Sequence, residues 1–414
     1  MRVLRVVVAG VCGAGLTLGA VAPASGAFPT PAGGASSDAG LERTLGAVRD
    51  AGIPGVYSAV RDGARRWAGA AGVADVRTGR PVRPGMAHRV GSVTKTFTAV
   101  GVLQQVGLGR IGLDDPVADH LPGLLPADQG RAVTVRMLLN HTSGIGDYVP
   151  AAFPSLAGGP GEAAESLDEH RFRRIAPGEL VRLGLDAPRT GVPGERFSYS
   201  NTNYVLAGLL LEEVTGMAAE DYLTERVIRP AGLRDTAFPR SPFLAGPHSR
   251  MYEARYGDID PPRDYSVYDM SWAGVAGAAV STMEDLNRFY AALFRGELLG
   301  PAELAELTRT VPADGGHRES YGLGVYPVEL SCGRFWGHDG RVWGAVTFAF
   351  TSEDGERQAA VGLNLAGYQS LDEQGGLEPH PADEALVNHL ELALCGPAGT
   401  PPAGARLGAV DGAP

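Results

Sequence analysis

The chain has 414 residues, 44% of them hydrophobic, with 47 acidic against 36 basic side chains and a formal net charge of −11. Such a chain can bury a large core, and its acidity argues against nucleic acid or an anionic membrane as a partner. Its length would allow two domains, but no clean linker divides residues 40–395, which points to one unit with a lobe inserted in its middle.

Met1 to Arg5 carry two arginines, Val6 to Val21 form an apolar run rich in Gly and Ala, and Ser25-Gly26-Ala27 supplies small residues. That order is the pattern of a secretory signal peptide, residues 1–27, cut after Ala27. An uncleaved anchor is the alternative, although the run falls short of the roughly 18–20 residues a span requires. No later segment is long and apolar enough to cross a bilayer, so the mature chain reads as secreted, without a stable membrane anchor, and as a monomer. Cys12 leaves with the signal peptide, and Cys332 and Cys395 remain as an even pair in an oxidising compartment. A disulfide between them would tie the late strands to the last helix and contribute on the order of 4 kcal/mol. Two free buried thiols are the alternative.

Residues 28–40 are rich in Pro, Gly, Ala and Ser and read as disordered. A helix is expected over Leu41–Ala51, then strands over Gly55–Val60 and Arg66–Val73 joined by a turn at Asp62-Gly63. Ser92–Val106 reads as a helix with apolar Val93, Phe97, Val100 and Leu103, stopped by Gly107 and Gly109. A short helix follows at Val133–Leu139. Residues 150–195 read as a loop-laden lobe. Helices are expected at Tyr204–Val214, about Ala218–Arg229, and Ser281–Phe294, the last opened by a capping box of Ser281 and Glu284. Strands return at Gly322–Val328, Arg334–Gly337, Trp343–Thr351 and Arg357–Leu365. A final helix covers about Ala382–Leu394, before a disordered tail at 396–414. The fold class is therefore α/β of the α+β type. One mostly antiparallel sheet is built from both termini and flanked by helices, within a domain spanning 41–395, and a mainly helical lobe is inserted at about 110–280.

Of the basic side chains only Lys95 is a lysine. Arginine cannot give up its proton in a protein, whereas a buried lysine can act as a base, so a lone lysine hints at a task that needs a neutral amine. Chance survival of one exposed lysine is the bland alternative. Ser92 lies three residues before it, on the same face of an opening helical turn, where Oγ and Nζ can meet. A serine hydroxyl needs such a base to become a nucleophile, and the free N–H groups of a helix start suit a developing oxyanion. Tyr199 and Asn201 sit two apart ahead of the 204–214 helix and would face one way in an extended segment. Taken alone, a packed tyrosine and a capping asparagine would explain them. His338-Asp339-Gly340 lies between late strands, where Gly340 would admit a close backbone; a surface turn is the plain alternative. His-Glu-x-x-His, Cys-x-x-Cys, Walker and Gly-x-Ser-x-Gly patterns are all missing, so no metal or cofactor is expected. His141 reads as a structural histidine in a helix-end turn rather than a ligand.

Five ordered motifs carry a family resemblance: Arg89-Val90-Gly91-Ser92-Val93-Thr94-Lys95, Leu138-Leu139-Asn140-His141-Thr142-Ser143-Gly144, Tyr199-Ser200-Asn201-Thr202-Asn203-Tyr204, Tyr321-Gly322-Leu323-Gly324 and Gly337-His338-Asp339-Gly340. In these the chain resembles the penicillin-recognising serine hydrolases over about residues 40–395. That group holds class C β-lactamases, secreted DD-carboxypeptidases, esterases and D-aminopeptidases, and the pattern is most similar to the carboxypeptidases, Cys332 and Cys395 included. The resemblance implies a β-lactamase/transpeptidase-like fold and an acyl-enzyme on Ser92, formed from a peptide, ester or β-lactam substrate. It implies that Lys95 and Tyr199 share acid/base work and that Asn201 orients Lys95 and the acyl side chain. The backbone N–H groups of Ser92 and Arg341 would form an oxyanion hole, and His338 would support Tyr199 and proton transfer to the leaving group. Trp272 would line the acyl-side pocket, and Tyr326, Asp339, Gly340 and Arg341 would meet the substrate. The similar carboxypeptidases have His-Thr-Gly-Thr where this chain has His338-Asp339-Gly340-Arg341, and an arginine at the position of Tyr326. Asp339 would repel a substrate carboxylate by about 1 kcal/mol or more, unless Arg341 pairs with Asp339 or receives the carboxylate itself. Three activities follow as expectations: a D-alanyl-D-alanine carboxypeptidase-like hydrolase, an esterase, D-aminopeptidase or β-lactamase on the same scaffold, and a wall-peptide-binding module without turnover.

Overall fold

A computed structural model describes residues 37–157, 162–313, 319–374, 376–397 and 399. The expected signal peptide lies outside the described residues, as do residues 28–36 and almost all of the expected tail. The first helix, α1 (Asp38–Asp50), starts inside the segment expected to lack structure, because the Ser37 hydroxyl accepts from Gly40 N and caps it. Then come β1 (Gly55–Asp62), β2 (Arg65–Asp75), the short β3 (Arg80–Pro81) and α2 (Thr94–Gly107). The middle of the chain is helical and includes α3 (Asn201–Thr215) and α4 (Met283–Phe294). The chain then returns to strands with β4 (Tyr326–Leu330), β5 (Gly333–Val342), β6 (Ala345–Ser352) and β7 (Arg357–Leu363), and closes with α5 (Pro381–Cys395).

These strands make one antiparallel sheet in the order β4-β5-β6-β7-β1-β2-β3. The two ends of the chain meet where β1 pairs with β7, Val56 opposite Leu363. Alternation along β1 sends Tyr57 and Ala59 to one face and Val56 and Val60 to the other. The first face packs on α2 and α4, with Phe97 stacked on Phe289 at 3.8 Å. The second packs on Leu41, Leu45 and Val48 of α1 and on Leu386, Leu390 and Leu394 of α5. A sheet covered on both faces buries every residue of β6, Thr347 and Thr351 included.

Three elements differ from expectation. The cap of α4 is Thr282, whose side chain accepts from Asp285 N, so the expected box of Ser281 and Glu284 is displaced by one residue. The strand expected at Gly322–Val328 begins only at Tyr326. Residues His338–Gly340 are not a turn between strands but the middle of the ten-residue β5. Cys332 and Cys395 stand with their Cα atoms 5.4 Å apart, within the reach of a disulfide. Among the described residues no helix is long and apolar enough to cross a membrane.

Candidate active site

The site is built around the first turn of α2. Gly91–Val93 forms a single 3-10 turn that runs straight into the helix, so Ser92 and Lys95 fall on one side of a continuous spiral. The helix is enclosed on nearly all sides, and its polar residues are held by hydrogen bonds rather than by water. Thr94 Oγ1 donates to Gly91 O at 2.7 Å and accepts from Ala279 N at 3.1 Å. Thr96 donates to Gly324 O and Thr98 to Val275 O, both at 2.7 Å. Three threonines therefore fasten the 275–279 segment and the Gly324 loop around the serine.

Lys95 is fully buried and Ser92 is 5% exposed. Lys95 Nζ lies 2.9 Å from Ser92 Oγ, 2.7 Å from Asn201 Oδ1 and 2.9 Å from Ala276 O. The last two are pure acceptors. A neutral amine has two hydrogens and one lone pair, so it satisfies both acceptors and still turns its lone pair to the serine hydroxyl.

Asn201 is not in an extended segment beside Tyr199, as its spacing suggested; it is the first residue of α3. Both nevertheless reach the lysine, Tyr199 with its ring centroid 4.9 Å from Nζ. Two other phenols nearby are committed elsewhere: Tyr204 donates to Leu139 O at 2.8 Å and Tyr148 donates to Trp272 O. Burial raises both of those hydroxyls well above their usual pKa. Tyr199, only partly buried, stacks on His141 at 4.2 Å. His141 has a left-handed backbone (φ 59°) after the short helix Val135–Leu139, and its Nδ1 accepts from Ser200 N at 3.3 Å. Ser143 Oγ donates to Asn203 Oδ1 at 2.6 Å. The Asn140–Gly144 motif thus holds the Tyr199–Asn203 motif in place.

Asp147 was missed in the sequence, where nothing but its place after the Asn140–Gly144 motif marks it. Its Oδ2 accepts from Asn201 Nδ2 at 2.8 Å and from Asn201 N at 3.3 Å. Although the residue keeps some solvent access, its carboxyl group is set deep among protein atoms. Burial raises its pKa, while the N–H groups of Val149 and Asn201 pull it down; a protonated Lys95 would lower it further. A carboxylate–amide–amine–hydroxyl chain therefore runs from Asp147 through Asn201 and Lys95 to Ser92.

The other wall is β5. Strand β4 pairs with it only as far as Gly337, opposite Tyr326, so residues 338–342 keep an open edge on that side. That stretch lies against the Gly91–Val93 turn, and two glycines permit the approach. A Cβ on Gly340 would stand 2.0 Å from Val90 O and 2.9 Å from Ser92 N, and one on Gly91 (φ 55°) would stand 2.6 Å from Arg341 N. The backbone N–H groups of Ser92 and Arg341 accordingly flank one seam. Gly340 thus admits the protein's own backbone at Val90, while the edge where a substrate backbone was expected stays unpaired by β4.

His338 is fully buried and hydrogen bonded through Nε2 to the Tyr321 hydroxyl at 2.8 Å. The Tyr321 ring in turn meets Tyr199 edge-on at 6.4 Å. Trp272 joins an aromatic cluster, stacked on Trp343 at 5.2 Å and edge-on to Phe153 at 5.4 Å. Three side chains expected to meet the substrate have partners within the protein. Tyr326 and Asp339 are fully buried and bind each other, the phenol donating to Asp339 Oδ1 at 2.9 Å. Arg341 neither pairs with Asp339 nor stands free for a carboxylate, because its Nη2 donates to Glu253 Oε1 at 3.0 Å. No cluster of His, Cys, Asp or Glu among the described residues could hold a metal ion.

Residues 39–375 match the family model described as Beta-lactamase. A D-stereospecific amidohydrolase from Streptomyces sp. superposes with a TM-score of 0.74 at 36% identity, over 87% of this chain and 100% of that one. The D-amino acid amidase from Ochrobactrum anthropi SV3, solved with L-phenylalanine amide, gives a TM-score of 0.72 at 26% identity, over 86% and 97%. In sequence the chain is 28% identical to penicillin-binding protein 4* of Bacillus subtilis strain 168, over 65% of this chain and 58% of that protein. The chain spans about half the length of the curated relatives it matches.

Proposed function

The chain belongs to the β-lactamase family, whose members of this kind are serine hydrolases, and from that premise we propose that it hydrolyses amide or ester bonds of D-amino-acid derivatives through an acyl-enzyme on Ser92. The observation that carries this reading is the position of Lys95 Nζ, 2.9 Å from Ser92 Oγ and anchored by two acceptors. Neutral Lys95 takes the hydroxyl proton as Oγ attacks the carbonyl carbon, and the oxyanion forms against the N–H groups of Ser92 and Arg341. Tyr199 passes a proton to the departing nitrogen or oxygen. Water then attacks the acyl carbonyl by the reverse route and frees Ser92. Asn201, braced by Asp147, keeps the amine in register, and His338 steadies Tyr199 through Tyr321.

The choice of substrate rests on the leaving-group side. A terminal carboxylate there would want a cation, and the guanidinium of Arg341 is engaged by Glu253. The D-stereospecific amidohydrolase and the D-amino acid amidase among the structural neighbours support an uncharged leaving group. A DD-carboxypeptidase is the second reading, favoured by the penicillin-binding relative. We also propose that the chain is exported, is a monomer, and carries an oxidised Cys332–Cys395 pair. Turnover of a D-amino-acid amide, an acyl-D-Ala-D-Ala peptide, an aryl ester and a chromogenic cephalosporin ranks the readings. Fast amide and ester cleavage with slow peptide cleavage is expected, and the reverse order would install the carboxypeptidase. Intact mass after incubation with penicillin tests for a Ser92 adduct, and no adduct together with no turnover would leave only a binding module.

A further inference from the structure

Glu253 is fully buried, and Arg341 is 5% exposed. Glu253 Oε1 accepts from Arg341 Nη2 at 3.0 Å and from Arg255 N at 2.9 Å, while its Oε2 accepts from Gly344 N at 3.0 Å in the turn between β5 and β6. The Tyr256 hydroxyl accepts from Arg341 Nη1, and its ring lies 4.6 Å from the guanidinium carbon. Arg255 and Tyr256 both hold left-handed backbones, with φ of 43° and 58°. Consecutive non-glycine residues in that region are costly and persist where the surroundings demand them. Here the corner they make brings the Tyr256 ring onto the guanidinium. A carboxylate, a phenol and a strained corner thus converge on one side chain, whose own backbone N–H faces the nucleophile turn.

We propose that Glu253 is a positioning residue that sets leaving-group specificity. By sequestering the Arg341 guanidinium it leaves that side of the cleft without an available cation and selects substrates whose leaving group bears no carboxylate. This rests on the acyl-enzyme reading above. Both Nη atoms of Arg341 are engaged and Nε alone lacks a hydrogen-bond partner among the described residues; a carboxylate that grips the guanidinium in two places would have to displace Glu253 or Tyr256, and Glu253 is also anchored by two backbone N–H groups. Removing the negative charge while keeping an acceptor frees the guanidinium to meet a carboxylate.

The test uses one peptide in two forms, acyl-D-Ala-D-Ala with a free terminal carboxylate and with a terminal carboxamide. The measured quantity is the ratio of their kcat/KM values. The wild type favours the carboxamide. Glu253→Gln shifts the ratio toward the carboxylate by on the order of tenfold or more, chiefly through KM of the carboxylate form. Tyr256→Phe, which keeps Glu253 and removes one acceptor, shifts it the same way by less, and remains a usable readout should Glu253→Gln fold poorly. Adding Arg341→Gln to Glu253→Gln abolishes the gain. A general structural defect would slow both forms equally and leave the ratio where it was. An unmoved ratio in both single variants, with both forms turned over, overturns the role of Glu253. If the wild type forms no acyl-enzyme at all, the functional reading fails instead.

Discussion

Acid should destabilise this protein through two buried histidines. His88 and His389 are fully buried, and burial pushes both imidazoles down from 6.5 to about 4. His88 lies between the Tyr57 hydroxyl and Val346 O, the latter 3.0 Å from Nε2. His389 bridges the Thr44 and Ser58 hydroxyls at 2.8 and 2.9 Å. No carboxylate is among these partners. In the unfolded chain each ring takes a proton near pH 6.5, while the folded chain refuses it until about pH 4. The unfolded state therefore binds more protons in that window, and stability, complete above pH 6.5, falls as the pH falls. Between pH 7 and pH 5 the loss is about 2 kcal/mol per histidine, or about 4 kcal/mol for both. Asp147 has the opposite sign: burial raises its carboxyl, so the folded state takes that proton first and gains as the pH falls. Urea unfolding of the wild type, His389→Gln and the double variant His88→Gln/His389→Gln at pH 7, 6 and 5 isolates the histidine share. The single variant should lose about 2 kcal/mol less on acidification than the wild type. A double variant that loses as much as the wild type between pH 7 and pH 5 would refute the reasoning.

Lys95→Arg should fold normally yet lose acylation by on the order of a thousandfold, since arginine cannot serve as the base; rapid mixing with an aryl ester and intact mass report it, and retained acylation defeats the role of Lys95. Asp147→Asn removes a charged acceptor from Asn201 and should lower kcat about 10–100-fold. The double variant Asp147→Asn/Asn201→Ala should be little worse than Asn201→Ala, because both act through one amine. Gly340→Ala forces a methyl to within 2.0 Å of Val90 O, a backbone atom, so both kcat and the thermal midpoint should fall; wild-type kcat and midpoint would mean that the seam between β5 and Ser92 does not matter. Reduction, or Cys332→Ser, opens a cross-link between residues 63 apart and should cost about 4 kcal/mol of stability in denaturant; no change would show that the pair is unlinked.

The amino-acid sequence by itself determined the pairing of Ser92 with Lys95 and most of the scaffold. A lone lysine three residues after a serine, at a helix start, is a local pattern, and helical geometry puts the two side chains together whatever surrounds them. Periodicity likewise located α1, α2, α4 and every strand of the sheet except the two-residue β3, because the spacing of buried residues records the faces of each longer element. Boundaries were less legible: β5 runs through His338–Gly340 because a strand can continue past the end of its partner, which local pattern does not register. Tertiary structure alone decided what each polar side chain sees. Asp147 meets Asn201 across 54 residues and Glu253 meets Arg341 across 88, and no spacing rule reaches that far. In sequence Arg341 is placed to pair with Asp339 two residues before it, yet each is claimed by a partner from a different part of the chain. A charged group taken out of water must find its compensation wherever the fold places it, and only the packed molecule reveals which group that is.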